Sequence, residues 1–108
     1  MTDAEFDALA DATLAALERA LDAAVLDADV LAKGDGLLEL EFADGSKMVV
    51  NRHTAAREIW VAAKAGGFHF RHTADGWRDS RDGGELFAAL SRLVSAQGGM
   101  PVVLAPGR

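Results

Sequence analysis

Asp7, Asp11, Glu18 and Asp22 are separated by four, seven and four residues, the intervals at which side chains on a helix share one flank. At about 100° per residue they fall within a sector of roughly 60°. Asp27 and Asp29 follow soon after. Carboxylates with neither thiolate nor imidazole among them suit hard, oxygen-seeking cations such as ferric iron, calcium or magnesium. On a convex flank such ions would be held weakly and stay partly hydrated. The competing reading is a solvated face that keeps a small protein soluble. Against it, Asp3/Asp7, Asp7/Asp11 and Glu18/Asp22 are like-charged pairs at i, i+4, each opposing the helix by about a few tenths of a kcal/mol. Glu18 and Asp22 also stand toward the end where the helix dipole disfavours a carboxylate.

The charge of the whole chain is arranged around this ridge. Residues 1–30 hold eight acids against the single base Arg19, a net −7, whereas the remainder nets +1 and the total is −6. Such lopsidedness bears on partners rather than on fold. It fits cations or a basic protein surface and excludes a nucleic-acid backbone.

Other chemistry finds little support. With no cysteine among the 108 residues, disulfides, thiolate metal sites and cysteine nucleophiles are excluded. His53, His69 and His72 show no metal-ligand spacing, and His69 and His72 alternate to opposite sides of a straight strand. They read as solvated or singly hydrogen-bonded. Gly34-Asp35-Gly36 and Gly66-Gly67 match neither phosphate-binding fingerprint and read as turns. Ser46, Ser80, Ser91 and Ser95 lack the flanking glycines of a nucleophile elbow. The acids lie on a convex flank, so they form no paired-carboxylate cleft. Enzyme activity is therefore not expected. No apolar run approaches the roughly 20 residues of a membrane span, and the opening acids are the reverse of a signal peptide. A cytoplasmic protein is the expectation.

These residues need elements to position them. Length and an ordinary apolar fraction predict one domain over residues 1–108. Asp3 to about Ala24 reads as a helix, capped by Thr2 with Glu5 as its reciprocal partner. Phe6, Leu9, Ala10, Thr13, Leu17, Leu21 and Ala24 form its apolar face. The period then falls to two. Ala28 to Lys33 is an ambiguous strand, and Leu38 to Phe42 alternates apolar with acidic. Asp44-Gly45 turns into Lys47 to Asn51. A strand around Ile59-Trp60-Val61 follows, then a turn at Gly66-Gly67 and a strand from Phe68 to His72. Asp75-Gly76 turns again into Trp77 and Arg78. A second helix, capped by Ser80 or Asp82, presents Leu86, Phe87, Leu90, Leu93 and Val94 and stops at Gly98-Gly99. Val102 to Leu104 is a short apolar tail expected to dock. The order predicts an α+β two-layer sandwich, with N- and C-terminal helices on one face of an antiparallel meander of five or six strands.

The other sheet face would be open. If Ile59, Val61 and Ala63 point inward, Trp60 points outward with Glu58, Ala62 and Lys64, and Asn51 and His69 share its side. A one-residue slip would bury Trp60 instead. A tryptophan on a wet sheet face is typical of a binding hot spot. Trp77 is assigned to the core.

Asp3-Ala4-Glu5-Phe6, Phe42-Ala43-Asp44-Gly45-Ser46-Lys47, Val50-Asn51-Arg52, Glu58-Ile59-Trp60-Val61-Ala62 and Gly66-Gly67-Phe68-His69-Phe70 together closely resemble bacterial frataxin, the CyaY family, in order and spacing over nearly the whole chain. The resemblance implies the sandwich fold and a non-enzymatic, iron-binding regulator or iron donor in iron–sulfur cluster assembly. It implies weak binding of Fe²⁺ or Fe³⁺ at surface acids, matched here by Asp7, Asp11, Glu18, Asp22, Asp27 and Asp29. Partners would be the cysteine desulfurase and the scaffold complex. They would be met by Glu18 and Asp22 on the ridge and by Asn51, Arg52 and Trp60 on the sheet. A monomer is expected, with metal-induced oligomers left open. The family's acid run is often denser; here Arg19, Ala23, Val25, Leu31 and Lys33 interrupt it. The rival reading is an acidic interaction module for a basic partner, with metal binding incidental.

Overall fold

The computed structural model describes residues 1–107. Among them the order is α1 (Asp3–Ala23), β1 (Ala28–Ala32), β2 (Leu37–Phe42), β3 (Lys47–His53), β4 (Glu58–Ala63), β5 (Gly66–Thr73), β6 (Gly76–Asp79) and α2 (Leu86–Gly98). The strands form one sheet in chain order, every neighbouring pair antiparallel. This is the expected meander, with six strands.

The start of α1 is fixed locally. Thr2 accepts the Glu5 N–H on its hydroxyl, and the Glu5 carboxylate accepts the Thr2 N–H, closing a reciprocal cap. Phe6, Ala10, Leu14, Leu17 and Leu21 form the buried stripe, so Leu14 belongs to the face and Thr13 lies at its margin. Opposite them stand the alternating inward residues of the sheet, including Leu38, Leu40, Met48, Val50, Ile59, Val61 and Phe70. Leu86, Leu90 and Val94 of α2 complete one apolar layer. Trp77 is 6% exposed and lies in this core, its indole N–H donating to Thr13 Oγ1 at 2.9 Å.

Two boundaries depart from expectation. The turn after β4 is Lys64-Ala65, because Ala63 pairs with Gly66. Gly66 opens the returning strand at φ +142°, a conformation that glycine tolerates and other residues rarely adopt. The cap of α2 is Glu85, whose carboxylate accepts the N–H groups of Phe87 and Ala88. Asp82 is used one turn earlier, where its Oδ1 accepts the Gly84 N–H. Gly99 ends α2 at φ 71°. The tail then docks: Val102 and Leu104 are buried, and their N–H groups donate to Ser95 Oγ and Ser91 Oγ, both at 2.8 Å.

Candidate functional site

The ridge divides into two stretches with different electrostatics. At its N-terminal end, Arg57 donates to Asp3 at 2.7 Å. Arg52 donates to Asp11 and lies 3.5 Å from Asp7, which also accepts the Thr54 hydroxyl at 2.7 Å. Arg52 can do this because it shares the helix side of β3 with Met48 and Val50. Its side chain lies against Gly36, where an added Cβ would come within 2.6 Å of Arg52 Cγ. The hydrogen bond to Asp11 holds the guanidinium even more firmly protonated than usual. Arg52 therefore stands on the opposite face of the sheet from Asn51 and Trp60.

Farther along, among the described residues no ion pair reaches Glu18, Asp22, Asp27 or Asp29. Asp29 stands across from Glu41 in the β1–β2 register. Asp27, Asp29 and Glu41 line one open, polar pocket beside Ala28 and Ala43. Glu41 reads from sequence only as the wet side of a strand, and the antiparallel register brings it to this edge. No three of the described His, Asp and Glu residues converge closely enough to hold an ion. Carboxylate oxygens such as these are donors of the kind that hard cations take.

The second patch is on the open sheet face. Trp60 lies opposite Asn51 on one side and His69 on the other, so the register that puts it outward holds. It is not bare. His53 from β3 and His69 from β5 stack on it from the two flanking strands, with ring centroids 3.8 and 4.6 Å away and interplanar angles of 13° in both cases. Its Nε1–H donates to Glu58 Oε1 at 2.8 Å, and Arg71 Nε donates to Glu58 Oε2 at 2.9 Å. His69 Nδ1 is 3.6 Å from Glu58 Oε1. Burial alone would raise the Glu58 pKa, but the hydrogen bonds from Trp60 and Arg71 and the nearby positive charge hold it below its ordinary value. Asn51 Nδ2 donates to the Arg52 carbonyl at 3.2 Å.

His53 and Arg71 thus join Glu58, Asn51 and His69, which the sequence placed beside Trp60. The four-residue turn Thr54–Arg57 sets His53 against Glu58 and Asn51 against Trp60, so turn length was the signal for the His53 stack. The ridge and the tryptophan lie on separate layers of the molecule, which leaves both accessible at once.

The molecule resembles known proteins along nearly its whole length. Residues 1–100 match the model of the frataxin-like domain. The iron-sulfur cluster assembly protein CyaY of Dechloromonas aromatica (strain RCB) is 54% identical over 104 residues, covering 96% of this chain and 99% of that protein. The protein of the same name from Janthinobacterium sp. (strain Marseille) is 52% identical, covering 96% of each. Among solved structures, the frataxin of Psychromonas ingrahamii superposes with a TM-score of 0.88 at 30% identity, covering 97% of this chain and 99% of that one. The chain belongs to the frataxin-like family.

Proposed function

We propose that this protein serves iron–sulfur cluster assembly as an iron-binding regulator or iron donor that docks on the cysteine desulfurase machinery of the cytoplasm. The role in cluster assembly follows its named relatives; iron binding and docking on the desulfurase are what the family resemblance implies, and the two patches support them. The observation that carries it is the run Glu18, Asp22, Asp27 and Asp29, carboxylates with no ion pair among the described residues. Uncompensated charge of this kind attracts ferrous or ferric ions and the basic surface of a partner alike. Asp7 and Asp11 belong to the same ridge, but Arg52 already compensates part of their charge. The Trp60 and Asn51 face would meet the scaffold complex.

The specific observation favouring the second reading, an acidic interaction module with incidental metal binding, is that no three carboxylates converge among the described residues. One variant separates the two: Glu18→Gln, Asp22→Asn, Asp27→Asn and Asp29→Asn combined. Fe²⁺ titrated into wild type should broaden NMR signals of α1 and β1, with an affinity of roughly micromolar or weaker, and the variant should lose both this broadening and capture by the desulfurase. Loss of capture without any iron-dependent broadening of α1 in wild type would select the module. Broadening centred on His53, His69 or His72 would overturn the iron assignment.

A further inference from the structure

The indole of Trp60 has little left to offer a partner. His53 covers one face and His69 the other, each nearly parallel to it. Its only hydrogen-bond donor is committed to Glu58 at 2.8 Å. Glu58 is in turn 7% exposed and is held by Arg71. A tryptophan usually recognises through its face, receiving a cation or a second ring, or through its N–H. Both routes are taken up here, and the part of the ring left uncommitted is its hydrocarbon rim.

The geometry points to His53, His69 and Glu58 as positioning residues that hold Trp60 edge-on and restrict its contact to an apolar side chain of the partner, aliphatic or presenting the face of a ring. The inference rests on the reading of this face as the surface that meets the assembly complex. The stack immobilises the side chain before binding, so little rotamer entropy remains to be lost when the partner arrives. Selection is against cations: a guanidinium or ammonium approaching Trp60 finds no open π-face and meets Arg71 and two imidazoles instead.

The test compares His69→Ala, His69→Phe, His53→Ala and Trp60→Ala, with folding checked by melting and circular dichroism. In the free protein, ¹⁵N relaxation of the Trp60 indole N–H should show wild-type order, reduced order in His69→Ala and His53→Ala, and recovery in His69→Phe, which restores a flat ring. Binding to the desulfurase–scaffold complex should weaken about three- to tenfold in each alanine variant and return in His69→Phe. The ratio of wild-type to Trp60→Ala affinity should be the same at low and high salt, because an apolar contact is not screened. A ratio that collapses at high salt would show a cation on the ring and defeat the proposal. Wild-type indole order and affinity in both alanine variants would defeat it too. If Trp60→Ala itself binds as wild type does, the docking reading fails, and the indole order of the histidine variants still decides whether they position the ring.

Discussion

Arg52 and Asp11 are joined across 41 residues of chain, a bond between the end of β3 and the middle of the first helix. It holds α1 against the sheet at the level of the ridge. It also sets which acids remain available.

Removing that bond should be felt twice. Arg52→Ala leaves Asp7 and Asp11 as neighbouring like charges and opens space beside Gly36. A loss of about 1 kcal/mol is expected in urea denaturation, together with tighter binding of divalent cations at α1. Cation affinity that stays at the wild-type level would mean that Asp7 and Asp11 take no part in metal uptake.

Asp22→Lys should move stability the other way. The last turn of α1 contains no basic residue, and Glu18 and Asp22 repel at i, i+4. A lysine there meets the negative end of the helix dipole and pairs with Glu18, for a gain of about 0.5–1 kcal/mol. Desulfurase and iron binding should both weaken. A thermal melt gives the first quantity and a pull-down the second, and a variant both more stable and fully functional would deny the ridge its role.

The two tryptophans should respond very differently. Trp77→Ala empties a core site, removes an edge contact with Phe6 at 6.0 Å and takes away the N–H that the Thr13 hydroxyl accepts, so about 3–5 kcal/mol is expected. Trp60→Ala loses two stacks and one hydrogen bond at a half-buried site, about 1–2 kcal/mol. The order of the two denaturation midpoints is the check.

Acid should weaken the fold through Glu58. Its pKa lies below the ordinary 4.5, so it contributes stability above that value and loses it as the pH falls through the folded one. Asp44, held far down by the Ser46 hydroxyl and N–H and by Lys64, acts in the same direction. Urea midpoints should drop below about pH 4.5, and Glu58→Gln should show a shallower acid limb. An acid limb as steep in that variant would place the loss in other carboxylates.

The C-terminal tail should behave as part of the core. Leu104→Ala empties a buried site and is expected to lose about 2–4 kcal/mol. Ser91→Ala, which removes the hydroxyl accepting the Leu104 N–H, should lose about 1 kcal/mol. Hydrogen exchange at the amides of Val102 and Leu104 reports the anchoring directly.

How much of this was legible in the sequence depended on range. The cap of α1 closes within four residues, and the period of two over Ile59, Trp60 and Val61 fixes which side faces out, so both could be read. Arg52 could not be placed by spacing alone, because its partners stand on another element and alternation turns it away from its neighbour Asn51. The His53 stack depended on a turn in which Arg57 adopts φ 56°, unusual for a residue with a side chain and supported by its contacts with Asp3 and the Met1 carbonyl. Ser80 and Asp82 are both good capping types, yet the chain starts α2 later, because Asp82 already closes a local turn on Gly84. Among the acids, sequence placed the ridge but could not divide it, since pairing depends on which bases the fold brings across.

The meander has a consequence for how the chain folds. Every strand pairs with its chain neighbour, so the sheet needs only short loop closures, whose entropic penalty is small, and can assemble one hairpin at a time. The first helix is the exception: its apolar stripe packs on β1, β2 and β3 and against Trp77 of β6, so its cover is complete only after β6 exists. On the ribosome it is made first and waits longest. That helix carries six acids against Arg19, a net −5, so while it waits for cover two exposed copies of it repel one another.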